Sequence, residues 1–151
     1  VSGLTEQEIL SKHKQSLGEG RDACQWLGRN ADPEYLAPRG RHYGNLKRAL
    51  NALEGTCRQL AAFRADTRWT KLGFLYARAM RVAQAKFVRQ DWMAFNQMQQ
   101  LFENGLRRMD ELQNAKTGKL GPILPKRTDW MVLPDLQPPQ SPWTPQGRLR
   151  N

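Results

Sequence analysis

"RWTKLGFLYARAMRVAQAKFVRQ", residues Arg68 to Gln90, holds six Lys or Arg and no Asp or Glu in 23 residues. Wound at about 100° per residue, Trp69, Leu72, Tyr76, Met80, Ala83 and Phe87 fall within an arc of roughly 80°. Arg68, Lys71, Arg78, Arg81, Lys86 and Arg89 fall within a second arc of about 140°, largely opposite the first. The stretch therefore predicts an amphipathic helix with an aromatic core face and a basic outer face. Solvated helices usually interleave signs so that residues at i and i+4 attract. The missing acids are the unusual feature, and they ask for an anionic partner.

Working outward, the spacing of Leu46, Leu50, Leu53, Cys57 and Leu60 alternates four and three, which predicts a helix from Asn45 to about Arg64. "RADT" ends it. Beyond the opening stretch, Asp91 is placed to cap a further helix, in which Trp92, Phe95, Met98, Phe102, Met109 and Leu112 keep one face apolar to about Ala115. Short turns between long amphipathic helices make them antiparallel neighbours.

Toward the N-terminus the pattern is weaker. Thr5 and Glu8 in "TEQEILSKHKQSL" form a capping-box pattern for a short first helix. Gly18 and Gly20 in "LGEGRD" read as a turn, and "EGRDACQWLG" as a second short helix closed by Gly28. "RNADPEYLAPRGRHYG", with Pro33, Pro38, Gly40 and Gly44, reads as a loop carrying Arg39, Arg41 and His42.

After "KTGKLG" the composition changes, and seven of the nine prolines lie between Pro122 and Pro145. That density rules out helix and predicts an extended arm. Its Trp130, Met131, Val132 and Leu133 are too apolar to be left in water, and dock either on the chain's own helices or on a neighbouring subunit. The expected fold is thus all-α: an antiparallel bundle of three long helices (43–115), preceded by short N-terminal helices and a basic loop (1–42) and followed by an extended Pro-rich C-terminal arm (116–151).

The 151 residues, 39% of them hydrophobic, suffice for one domain with a real core. Net charge is +10, and residues 39–90 account for all of it, with twelve Lys/Arg against Glu54 and Asp66. A charge excess confined to one third of the chain is an electrostatic footprint rather than a solubility device. Cys24 and Cys57 lack CxxC spacing and read as buried thiols of a reducing compartment. "VSGLTEQEIL" has no signal-peptide pattern, and no apolar run reaches membrane-spanning length, so the expected location is cytoplasmic or within a viral particle, without a membrane partner.

Catalytic patterns are not found. His13 and His42 have no ligand-spaced companions, and nucleophile elbow, Walker loop and dinucleotide fingerprint are all missing, so neither metal, cofactor nor enzymatic activity is expected. The candidate nucleic-acid contacts are Arg39, Arg41, Lys47, Arg48, Arg58, Arg68, Lys71, Arg78, Arg81, Lys86 and Arg89. Most aromatics occupy core positions, which favours backbone contacts over base readout. The order of parts resembles that of phage small terminase subunits, and the basic helical core is similar to small helical subunits of CRISPR effector complexes. Both are likenesses of layout without a shared motif. They imply a nucleic-acid-binding subunit of an oligomeric assembly, of phage or mobile-element origin. The alternative is a virion structural or adaptor protein whose arm, through Trp130, Met131, Leu133 and Trp143, binds neighbouring subunits.

Overall fold

The computed structural model describes residues 5–29, 36–114, 133 and 136. Four helices make up the described chain: α1 (Glu6–Leu27), α2 (Leu36–Arg64), α3 (Thr67–Val88) and α4 (Met93–Asn114). Among the described residues there is no strand.

Helix α1 opens on the expected capping box. The Glu8 amide donates to Thr5 Oγ1 at 3.1 Å, and the Thr5 amide donates to Glu8 Oε1 at 3.3 Å. It then runs unbroken through Gly18 and Gly20 to Gly28, whose amide donates to the Cys24 carbonyl. The expected pair of short helices is therefore one helix of 22 residues. Close packing is the reason Gly20 stands there. A Cβ at Gly20 would come within 2.6 Å of Phe102 Cδ1, and one at Gly105 within 2.8 Å of Leu17 Cδ2. Each helix thus offers a glycine to the other's large side chain, and Leu17 and Phe102 are fully buried. A helix-interior glycine costs about 1 kcal/mol relative to alanine, less than burying such a side chain returns.

Helix α2 spans 29 residues and absorbs the end of the expected loop. Pro38 is its third residue, where a missing N–H belongs to the first turn's unbonded donors anyway. The four-and-three spacing of the leucines extends backward through Tyr43 to Arg39, so the buried stripe begins with a cation. Gly40 and Gly44 weaken the helix, but the contacts of Arg39, His42 and Tyr43 described below hold that turn in place.

Helices α2 and α3 end alike. Ala65 (φ 49°) and Gln90 (φ 57°) take the left-handed conformation, and the next amides reach back to close the helix: Asp66 to the Ala61 carbonyl at 3.2 Å, Asp91 to the Lys86 carbonyl at 2.9 Å. Asp66 then caps α3 by accepting from the Arg68 amide at 2.9 Å.

Helix α1 packs on both α2 and α4, α2 packs on α3, and α3 touches α4 only sparsely. Contacts fix the directions. Lys14, in the first half of α1, meets Asp110 at 3.2 Å, while Gly28, just past its C-terminal end, lies against Asn96, so α1 and α4 run oppositely. His13 meets Thr56 and the Arg29 carbonyl meets Arg39, which reverses α2 against α1. Tyr43 stacks on Phe87 and Gly73 abuts Cys57, which reverses α3 against α2. Leu53, Trp69, Tyr76, Trp92, Phe95 and Phe102 are buried as expected, whereas Met80 and Phe87 are only partly so. Leu133 and Leu136 join the same core from the C-terminal region.

Candidate nucleic-acid interface

The cations of α2 and α3 meet four different fates. Arg39 is 1% exposed. Its Nη2 donates to the Arg29 carbonyl at 2.8 Å, and its guanidinium lies 4.2 Å from the Trp92 ring centroid. A phosphate has no route to it, so Arg39 leaves the candidate set. A carbonyl oxygen and an aromatic face both favour a guanidinium at this place in the interior.

A second group has carboxylate partners. Arg58 pairs with Glu54 at 3.7 Å, Arg68 with Asp66 at 3.0 Å, and Lys86 with Asp91 at 3.6 Å. The Arg58 and Arg68 side chains are exposed, so their pairs are weak and a phosphate can compete for them. The hydrogen bond to Asp66 raises the Arg68 pKa further. The Lys86 side chain is only 17% exposed and is held across the α3–α4 turn.

Arg78 is a case of its own. Leu75, Arg78, Ala79 and Val82 share one flank of α3. Leu75, Ala79 and Val82 are buried, and Arg78 Nη1 donates to the Leu136 carbonyl at 3.1 Å. Leu136 therefore lies on this flank. Lys71 and Arg89 project from the same side of α3, before and beyond the covered part, and both are exposed. The expected basic arc of α3 is thus interrupted at Arg78, which Leu136 engages.

The fourth group faces solvent. Arg41, Lys71, Arg81 and Arg89 are exposed and have no carboxylate partner among the described residues. Lys47 lies over the Tyr43 ring at 5.0 Å, and Arg48 bonds to Asn45; both are exposed. Tyr43, which follows Arg41 and His42 in the chain, is half-buried by its stack on Phe87 at 4.2 Å. Exposed Arg29, at the end of α1, adds a cation that sequence reasoning did not select, because no periodicity placed it beside α2.

The interior holds polar groups of another kind. His13 is buried, with Nδ1 2.7 Å from Thr56 Oγ1, and Thr56 donates its own proton to the Leu53 carbonyl at 3.0 Å. Thr56 must then accept, which assigns the His13 proton to Nδ1. Trp69 and Tyr76 meet the imidazole edge-on at centroid distances of 5.8 and 6.1 Å. Burial pushes the His13 pKa down to about 4, so the ring is neutral at pH 7. Burial also pushes both cysteine thiols well above their ordinary range, Cys57 with a further contribution from Glu54, which leaves them poor nucleophiles. Among the described residues no three His, Cys, Asp or Glu gather as a metal site, and no helix is long and apolar enough to cross a membrane.

Of the arm's expected interface residues, Leu133 is 3% exposed against this chain's own core, so it is not offered to a neighbour. Trp130, Met131 and Trp143 lie outside the described residues. No family model matches the chain, nor does any curated protein or solved structure.

Proposed function

We propose that the chain is a non-enzymatic, helical nucleic-acid-binding subunit of a larger assembly, contacting the phosphate backbone. The helices are taken as one antiparallel bundle carrying an extended Pro-rich C-terminal arm. One observation carries the reading: Arg41, Lys47, Arg48, Lys71, Arg81 and Arg89 all face solvent along α2 and α3, and none meets a carboxylate among the described residues. Folding has not neutralised the charge excess of residues 39–90; it has withdrawn Arg39, engaged Arg78 and Lys86, paired Arg58 and Arg68 at the surface, and left these six outside. A polyanion supplies the missing negative charge.

Six such contacts give a log–log salt slope of about −5 on duplex DNA and about −4 on a single strand. Fluorescence anisotropy with labelled oligonucleotides of unrelated sequence, between about 50 and 200 mM salt, reads that slope directly. Replacing Lys71, Arg81 and Arg89 together by Gln should flatten it by about two to three units, equally on every sequence, with little change in stability. A triple variant with unchanged affinity and slope would remove α3 from the interface. The adaptor reading draws on a different observation, the exposure of Phe63, Phe74, Val88 and Met93. It expects weak oligonucleotide binding from the start and loss of a protein contact when these side chains are made polar.

A further inference from the structure

The corner where α1 ends and α2 begins gathers cations that the linear sequence keeps apart. Arg39, buried beneath it, ties the last turn of α1 to α2 through the Arg29 carbonyl. Trp26 stacks on His42 at 4.2 Å and 17°, a second tie between the same helices. These two contacts bring the end of α1 against the turn of α2 that carries Arg41 and His42, close enough for the Arg29 and Arg41 charges to act on His42. Arg29 and Arg41 are exposed and have no carboxylate partner among the described residues, and His42 is half-buried. Burial and then the charges of Arg41 and Arg29 lower the His42 pKa, which favours its neutral ring. The other charged groups nearby change little. Arg39 is spent below, Asp22, one turn back on α1, is held by Arg21 at 3.1 Å, and the first turn of α4 carries no acid. Asp32 and Glu34, in the connecting stretch, lie outside the described residues.

We propose that Arg29, Arg41 and His42, braced by Trp26, form a seat for one phosphate of a bound nucleic acid. The assignment rests on the function proposed above and adds a specific, pH-sensitive contact to it. Two guanidinium groups offer paired N–H donors to the phosphate oxygens. A negative charge between them offsets the repulsion that, added to burial, disfavours the charged ring, and the imidazole takes up a proton to become a third donor. Binding at this seat therefore strengthens as pH falls through the bound-state midpoint of His42 toward its lower free midpoint, which contacts made by Lys and Arg alone do not.

The experiment is an NMR titration of the histidine Cε1–H resonances, with and without saturating oligothymidylate at low salt. His13 titrates near 4, and His42, also lowered from the ordinary histidine value, gives the second signal. The oligonucleotide should raise the His42 midpoint by about one unit or more. The variant Arg29→Gln with Arg41→Gln keeps the Arg29 main-chain carbonyl for Arg39. It should lose that shift, bind about tenfold more weakly and flatten the salt slope by about 1.4 units. If the oligonucleotide binds while the midpoint stays still and the double variant binds as the parent does, the seat is refuted and the broader function stands. If no oligonucleotide binds at low salt, the broader function is refuted. The seat is then judged with pyrophosphate alone: a raised midpoint keeps it as an anion site, and an unmoved one removes it.

Discussion

Replacing Arg39 separates a structural arginine from an interfacial one. In Arg39→Ala the charge-assisted hydrogen bond to the Arg29 carbonyl is lost, a loss of about 1.5–3 kcal/mol. The guanidinium over Trp92 contributes about 1–2 kcal/mol more when desolvated, and the buried stem leaves a cavity beneath α2. Part of these contributions overlaps, so about 3–5 kcal/mol is the expected total. For a chain of this length that lowers the melting temperature by about 10–15 °C. Guanidinium-chloride unfolding followed by helical CD measures the free energy, and an unchanged denaturant slope confirms that the same surface unfolds. Arg39→Lys should recover less than half of the loss, because a point ammonium cannot both lie flat on Trp92 and reach the carbonyl. The salt slope of nucleic-acid binding, taken well below the melting temperature, should be unchanged. A loss below about 1 kcal/mol together with a flattened salt slope would place Arg39 on the surface and refute the fold of this corner.

Other consequences are equally direct. His13 titrates near 4 in the fold against an ordinary 6.5, so its contribution to stability is complete above 6.5, falls as pH drops through that window, and levels off below 4. The difference is worth about 3 kcal/mol, and His13→Asn, which keeps a donor for Thr56, should remove that part of the pH dependence in urea melts at pH 7 and pH 4.5. Gly20→Ala should cost about 1–3 kcal/mol because the Phe102 ring has to move, while Gly40→Ala and Gly55→Ala, with nothing within 4 Å of the new Cβ, should each add about 0.5–1 kcal/mol in the same melts. Deleting residues 116–151 should leave the helical CD signal largely intact and lower the melting temperature; an unchanged melt would mean that Leu133 and Leu136 do not seal the core.

Periodicity made α2, α3 and α4 legible, because each has a leucine or aromatic stripe at helical spacing. It failed in the N-terminal third for a definable reason. Gly18 and Gly20 carry the same local signal whether the chain turns or a helix is approached closely, and the deciding partner, Phe102, lies on a distant helix. Arg39 shows the same limit from the other side. Its place in the four-and-three spacing was visible, but a buried cation is credible only once Trp92 and the Arg29 carbonyl are known to surround it. Spacing also gave the direction in which Arg78 projects from α3. It did not give what lies there, since the covering Leu136 belongs to a stretch with no periodicity. The stack of Trp26 on His42 had no sequence signal at all, because it depends on the angle at which α1 meets α2.

The exchange of glycines between α1 and α4 also governs the order in which the chain is assembled. Helices α1 and α2, and α2 and α3, are joined by short connections and close as local hairpins. The seam of Gly20 with Phe102 and Gly105 with Leu17 joins the first helix to the last, so it forms only after the chain between them has folded back. Docking of α4 is therefore a late event, and the seam contributes little to the barrier for folding. Substitutions there act chiefly on the rate of opening, and in Gly20→Ala the loss of stability should emerge as faster unfolding with an almost unaltered refolding rate.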